Sequence, residues 1–525
     1  MAGEGGFHHA AGETVAAMGR GDGDAAYPDT AGFRSDAEVA GERAIGPREQ
    51  MFGRLVSAVE ILVRRGLLDN EDRLAEAEHV IEKRRRDILE AVPGEGDLPF
   101  CRHGAILSSI RIYSIGGGVA EGMKMDKIEL NGRSYRRPSR PTAVICADGC
   151  DPSYLEAGFA AGVLPALARC RDAGFYGLAD AAMPTFTNPN NVSIVTGVAP
   201  AAHGISGNFM LDRETGAEVM MTDPELMRGD TILALMSRAG VATAAVTAKD
   251  KLRRMLGHRM EGICFSSEKA DPQVEAMVGR GRPDMYSADL SLFVLDAGIR
   301  LVEQGQARLL YLSLSDYVQH GHAPSEAEAL EFHRALDARV ARLVELGCVV
   351  GMTADHGMND KALPAGEPHL ILIEDLLNEK FGAGSVRVIC PITDPFVRHH
   401  GALGSFVRVY AKGGAPVAAL AAALRVLPGI DEVLGRDEAC ERFELPWDRE
   451  ADLVVTGDRN TVLGATAAEH DLSALAGHRL RSHGGRGEQV VPFVLSHPLN
   501  DEYRDRAGSS RLRNFDIFDY ALNGV

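Results

Sequence analysis

Residues 142–149 read TAVICADG, an apolar run closed by Asp148-Gly149, and the fold class follows from how that run is read. An unbroken apolar stretch this short, ending in a turn, is the pattern of a strand buried on both faces. Four more runs repeat it downstream, at Gly174–Ala182, Val241–Ala248, Arg308–Leu314 and Cys348–Thr353. Helical stretches separate them, for example Tyr154–Asp172, Asp230–Ala239 and Ser325–Leu346. Strand alternating with helix predicts an α/β fold, a mostly parallel sheet covered by helices on both faces. In open sheets of this kind ligands collect at the carboxyl ends of the strands. Asp148, Asp316 and Asp355 each stand one or two residues past such an end.

Towards the amino terminus the rhythm disappears. Residues 1–45 are rich in Gly, Ala, Asp and Glu without apolar periodicity and read as a disordered tail. Phe52, Leu55, Val56, Val59, Leu62 and Val63 share one helical face that ends at Gly66. Asp69 can cap a second helix carrying Leu74, Ala77, Ile81 and Ile88, which Pro93-Gly94 stops. Residues 46–125 are therefore expected to be a helical hairpin appendage and linker, with the break at Gly116–Gly118. Residues 126–525 would be the catalytic domain, and 365–475, where the strand–helix rhythm lapses around an Ala-rich helix near Val417–Leu427, an inserted cap. No internal repeat is visible.

Composition narrows the partners. Lys and Arg number 56 against 74 Asp and Glu, a net charge of −18, so a groove built on nucleic-acid phosphates is disfavoured. No apolar run approaches the roughly 20 residues of a membrane span, and the start of the chain lacks the basic-then-apolar order of a signal peptide. Eight scattered cysteines without a CxxC fit reduced thiols, and the expected location is cytoplasmic.

Four further segments carry candidate chemistry. Asp316-Tyr-Val-Gln-His320 sets a carboxylate and an imidazole four apart, a spacing that one helical turn points the same way. Asp355-His356-Gly357 follows a strand directly, and Ser482-His483-Gly484-Gly485 offers an imidazole in a loop whose backbone can approach a ligand. With Asp148 these make three carboxylates and three imidazoles, donors suited to zinc or a similar divalent ion. Any one of them alone is more often structural, since Asp-Gly is usually a turn. In Thr187-Asn-Pro-Asn-Asn191, Asn188 can cap a helix with Pro189 at its first position. Thr187 then stands at a helix mouth that favours anions. A capping turn without chemistry fits the same residues.

The order of these motifs resembles the alkaline phosphatase superfamily, most closely its nucleotide pyrophosphatase/phosphodiesterase and phosphonate-hydrolase branches. The stretch KIELNGRSYRRPSRPTAVICADGCDPSYLEAG (residues 127–158) and the pair in Thr247-Ala-Lys249-Asp-Lys251 are similar to the phosphonoacetate-hydrolysing members. The similarity begins near Lys127 and covers roughly three quarters of the chain. It implies two divalent metal ions, zinc first and manganese or iron accepted by the same donors. Asp316, His320 and His483 would hold one ion. Asp148, Asp355, His356 and the Thr187 oxygen would hold the other. It also implies Thr187 as nucleophile, a phosphothreonine intermediate, Asn208 as donor to a phosphoryl oxygen, and Lys249 and Lys251 as carboxylate receivers on an extended segment. The substrate would be a small phosphonate, with homodimers common in the family. His203 is expected to hydrogen-bond within its own loop, His322 and His399-His400 match no ligand position, and Cys146 and Cys150 read as buried structural thiols. Two alternatives stand beside this reading. One is a phosphodiesterase or nucleotide pyrophosphatase, which needs an aromatic base-stacking slot; the other is a non-catalytic binding protein acting through the amino-terminal hairpin.

Overall fold

The five runs read as strands fall in one sheet of a computed structural model that describes residues 127–393, 403–470 and 479–525. The tail and hairpin expected before residue 126, and His399-His400, lie outside the described residues. In chain order the strands of the main sheet are β1 Thr142–Cys146, β2 Phe175–Asp180, β3 Thr243–Thr247, β4 Ile263–Ser266, β5 Leu309–Ser313, β6 Val349–Thr353, β7 Val490–Leu495 and β8 Leu512–Arg513. Among the described residues they lie side by side in the order β8-β2-β7-β6-β1-β5-β3-β4. Every residue of β1, β3, β5 and β6 is buried, which is why these segments read as continuous rather than alternating apolar runs.

β7 alone runs against its neighbours, pairing antiparallel with β6 and β2. Its sequence, VVPFVL, carries a proline that speaks against a central strand. Ser496 donates its N–H to Val350 on the β6 side, so Pro492, an even number of residues away, faces that side too. It does so beyond Thr353, where the last pair with β6 is Thr353–Phe493, and its missing N–H leaves no gap in the ladder.

Helices cover the sheet with apolar stripes. Asp289–Glu303 buries Leu290, Phe293, Val294, Ala297 and Leu301, and Ala327–Glu345 buries Ala329, Phe332, Leu336, Val340 and Leu343. The helix expected over Tyr154–Asp172 is two, Pro152–Ala160 and Pro165–Ala173, each with proline in its first turn. A second sheet, antiparallel, orders Val386–Ile389, Phe406–Ala411, Leu453–Gly457 and Ile430–Gly435. It packs with helices Ile373–Phe381 and Val417–Arg425 around its own apolar cluster, including Leu377, Val407, Leu420 and Val454. Among the described residues no helix is long and apolar enough to cross a membrane.

Candidate active site

β1, β5 and β6 are neighbours in parallel register, with Cys146 opposite both Ser313 and Thr353. Their carboxyl ends therefore release three loops at one level, and Asp148, Asp316 and Asp355 converge. All three carboxylates are buried. Gly149 turns the first loop with φ +70°, and a Cβ there would lie 3.1 Å from the Asp316 Cβ, so the close approach depends on glycine. A short helix, α3, Tyr317–Gly321, follows Asp316 and swings His320 back, its Nε2 2.9 Å from Asp316 Oδ2. His483 Nε2 lies 3.8 Å from the same oxygen. His356 Nε2 is 3.3 Å from Asp148 Oδ1 and 3.8 Å from Asp355 Oδ2.

The imidazoles are oriented from behind. Their Nδ1 atoms sit 2.8 Å from the Arg481 carbonyl (His320), 2.9 Å from the Gly357 carbonyl (His356) and 2.8 Å from the Thr185 carbonyl (His483). An Nδ1–H donated to a carbonyl fixes each ring's orientation and turns its Nε2 towards the carboxylates. Three buried carboxylates crowd together there, and both oxygens of Asp148 are buried without a hydrogen-bond partner. Such an arrangement fits a cation and little else. Asp148, Asp355 and His356 offer ligand atoms within 4.8 Å of one another, as do Asp316, His356 and His483. His356 thus borders both groups, its ring stacked on His483 at 3.6 Å, while His320 adjoins Asp316.

The same geometry splits the protonation behaviour of the ion-free protein. Burial, reinforced by the charges of Asp316 and Asp355, pushes the Asp148 carboxyl well above the usual range. Burial acts on Asp316 too, but Lys249 and His320 overcome it and hold that carboxyl well below. Burial and then His356 and His320 keep His483 neutral. The thiols of Cys146 and Cys150 are buried and raised, first by desolvation, as inert structural groups are.

Thr187 opens helix α1, Thr187–Thr196, and its Oγ1 lies 3.3 Å from His356 Nε2. The helix starts two residues earlier than Asn188 capping requires. Phe186 is the N-cap and makes no side-chain cap bond. The Asn188 amide instead donates to the carbonyls of Gly207 (2.9 Å) and Met221 (3.0 Å), tying α1 to the loop that carries Asn208. Pro189 stays within the first turn, where its missing N–H is not needed. Phe186 packs edge-on to His483 at 5.6 Å, and Gly484 (φ +121°) leaves room for that ring, which a Cβ would meet at 2.5 Å.

A cavity of about 310 Å³ opens beside Thr187, Asp148, Asp316 and His483. Asn208 lines it and donates from Nδ2 to the Ile392 carbonyl at 3.2 Å. Lys249 and Lys251 also line it, but not as alternate residues of an extended segment. Lys249 is the last extended residue before helix α2, Asp250–Leu256, and Lys251 sits in that helix's first turn. Lys249 Nζ reaches Asp316 Oδ1 at 3.2 Å, so it bears on the acidic cluster as well as on the cavity. Among the lining residues that sequence reading did not single out are Arg254, Tyr286 and Tyr317. Arg254, one turn after Lys251, was legible once α2 is known to be a helix. His203 is buried, 2.8 Å from Ser193 Oγ, with its Nδ1 accepting from Ile205 N–H. His322 adjoins Glu326 at 3.2 Å on the surface, away from the cluster.

Comparison with known proteins names the class to which fold and site point. The chain belongs to the type I phosphodiesterase / nucleotide pyrophosphatase family, whose profile matches residues 142–470. Phosphonoacetate hydrolase from Sinorhizobium meliloti 1021, crystallised with phosphonoacetate, is 45% identical with a TM-score of 0.72, covering 76% of this chain and 98% of that one. The phosphonoformate complex of the same enzyme gives 45% and 0.73 over the same shares, 76% and 98%. Phosphonoacetate hydrolase of Penicillium oxalicum is 55% identical over 40 residues, 7% of this chain and 56% of that protein. Mouse ectonucleotide pyrophosphatase/phosphodiesterase family member 1 is 26% identical over 243 residues, 42% of this chain. This chain spans 24% of that relative's length.

Proposed function

We propose that the protein hydrolyses the carbon–phosphorus bond of phosphonoacetate to acetate and phosphate through a phosphothreonine on Thr187. The observation that carries this is the joining, in one cavity, of Thr187, the acid–imidazole cluster and two lysines. The similarity to an enzyme crystallised with phosphonoacetate supports the same substrate. Asp148, Asp355, His356 and the Thr187 oxygen would hold one divalent ion, and Asp316, His320 and His483 the other, zinc being the expected metal. Such ions supply charge neutralisation on phosphoryl oxygens and lower the pKa of hydroxyl and water.

The chain's own residues do the rest. Thr187 Oγ, its hydroxyl proton passing to solvent, forms a bond to phosphorus as the P–C bond breaks. The electron pair moves into the carboxylate as an enediolate, which later takes a proton from solvent. Lys251, with Lys249 beside it, provides positive charge where that enediolate grows. Protonation of the carbon gives acetate. Asn208 donates to a phosphoryl oxygen, and water then cleaves the phosphothreonine, returning the Thr187 hydroxyl and phosphate. The free cysteines among the described residues fit a reducing, cytoplasmic setting.

A phosphodiesterase reading has one observation in its favour. Tyr286 and Tyr317, 46% and 38% exposed, line the same cavity and could face an aromatic leaving group. Phosphate release from phosphonoacetate, measured beside a nitrophenyl phosphodiester and metal content, separates the two. Turnover of the diester alone would sink the phosphonoacetate proposal.

A further inference from the structure

Asn191 stands four residues after Thr187 on α1 and is fully buried. Its Nδ2 donates to the Thr187 carbonyl at 2.9 Å and to Asp355 Oδ2 at 3.3 Å. Its Oδ1 accepts from Tyr311 Oη at 2.7 Å and Ser313 Oγ at 2.8 Å. Both amide protons and both lone pairs are used, so the side chain fits only one way round. Tyr311 and Ser313 are alternate residues of β5 and present their hydroxyls on one face of the sheet. All three side chains of this anchor are fully buried.

The consequence falls on Asp355. Its Oδ1 accepts the N–H groups of Gly149 (3.2 Å) and His356 (3.1 Å), and Asn191 holds its Oδ2. Three donors from three segments fix the plane of this carboxylate. Asp148, its partner in the same cluster, has none. We infer that Asn191 is a positioning residue that aims Asp355 at the ion shared with Asp148 and His356, and that it couples the nucleophile's helix to that ion through the Thr187 carbonyl. The inference rests on the two-ion reading given under Proposed function.

Groups behind a metal ligand typically govern affinity by ten- to a hundred-fold, and here only one of the two ions is governed. The test uses the full-length, zinc-loaded protein and follows zinc transfer to a chromogenic chelator. Wild type should release two zinc ions per chain slowly. Asn191→Leu, similar in volume and unable to hydrogen-bond, should release one of them roughly ten- to a hundred-fold more readily and keep the other as wild type does. Turnover should fall with the lost ion and return under excess zinc, because all the ligands remain. Tyr311→Phe and Ser313→Ala each remove one anchor and should shift the same ion by less. They carry the test if Asn191→Leu fails to fold.

A merely structural asparagine predicts something else: both ions lost together, in step with loss of circular dichroism, and no rescue by zinc. That result, or release identical to wild type, overturns the inference. A wild-type chain that holds one ion or none would sink the two-ion reading first, and this inference with it.

Discussion

Two buried ionic groups lie a few residues apart in this molecule and are built on opposite principles. Around Lys361 and Glu488, both fully buried, almost every atom is matched. Lys361 Nζ donates to Glu488 Oε1 (2.7 Å) and to the Arg459 carbonyl (2.9 Å). Glu488 also receives Asn359 Nδ2 (2.6 Å) and Gly485 N–H (3.1 Å). The neighbouring cluster sets the Asp148, Asp316 and Asp355 carboxylates and three imidazoles beside the Lys249 ammonium, and leaves Asp148 without a hydrogen bond. Equal burial with opposite satisfaction separates a brace from a site. The first group is complete as folded; the second is complete only with added positive charge. The brace also serves the site. Glu488 takes Gly485 with its carboxylate and Gly357 with its backbone carbonyl (2.7 Å), so it clamps the two loops that carry His483 and His356.

The largest effects should come from the unsatisfied group, on activity and not on stability. Thr187→Ala should keep fold and metal content yet lose turnover by roughly 10⁴-fold or more, since the covalent route is gone. Thr187→Ser should retain part of it. An alanine variant within a few-fold of wild type would remove the phosphothreonine from the mechanism. Asp148→Asn should likewise abolish turnover while costing the ion-free protein little stability in urea, because burial and the charges of Asp316 and Asp355 already disfavour the ionised carboxylate there.

The satisfied group should answer in the opposite currency. Glu488→Gln or Lys361→Met leaves one buried charge uncompensated and should destabilise the fold by about 3–5 kcal/mol. Replacing both by apolar residues should recover much of that loss. If each single variant unfolds at the wild-type urea midpoint, the two groups do not differ as argued.

A smaller effect divides the lysines between the two regimes. Lys249 touches the acidic cluster at Asp316, whereas Lys251 lies on α2 further along the cavity wall. Lys251→Met should lower kcat/KM for phosphonoacetate by about 1.5–3 kcal/mol, roughly ten- to over a hundred-fold. A nitrophenyl phosphate ester, whose leaving group needs no carboxylate recognition, should be nearly unaffected. Lys249→Met should cost both substrates alike. Substrate ratios unchanged from wild type in both variants would show that neither lysine sets specificity.

How far the sequence carried depends on where the information is local. Strands β1, β3, β5 and β6 were legible because burial on both faces leaves an unbroken apolar run. β7 was not, because Pro492 argues against a strand until its neighbours are known. The ligand types were legible because they stand at strand ends, and the resemblance supplied their order. What stayed hidden was who holds them. Asn191 looks like helix filler, and its bonds to Tyr311 and Ser313 span more than a hundred residues. Arg481, whose carbonyl orients His320 and whose guanidinium meets Asp360 and Tyr154, is equally a product of tertiary contact. Asn188 was misread for the same reason: a good capping residue beside a proline was recruited by two distant carbonyls.

The smallest effect concerns a third kind of buried histidine, satisfied and remote from the ions. His203 accepts from Ile205 N–H at Nδ1, so its Nε2–H is free to donate to Ser193 Oγ, and the ring is neutral in the fold. Burial, then the charges of Arg228 and Arg449, hold its pKa down to about 3. In the unfolded chain it titrates near 6.5. The folded protein therefore binds fewer protons below that value, and stability falls as pH drops from about 6.5 towards 3. Each pH unit in that window costs about 1.4 kcal/mol for one such group, so lowering pH from 7 to 5.5 should remove a little over 1 kcal/mol through His203. His333, pressed down to about 4 by burial, adds a similar slope of its own. The measurement is a difference: urea stability of wild type and His203→Asn at pH 7 and pH 5.5. Changes arising at the metal ligands or at His333 appear in both proteins and cancel. The variant should be less stable at pH 7 but should lose about 1 kcal/mol less on acidification. Parallel pH profiles would mean that His203 is already charged in the fold, and that its hydrogen bonds run the other way.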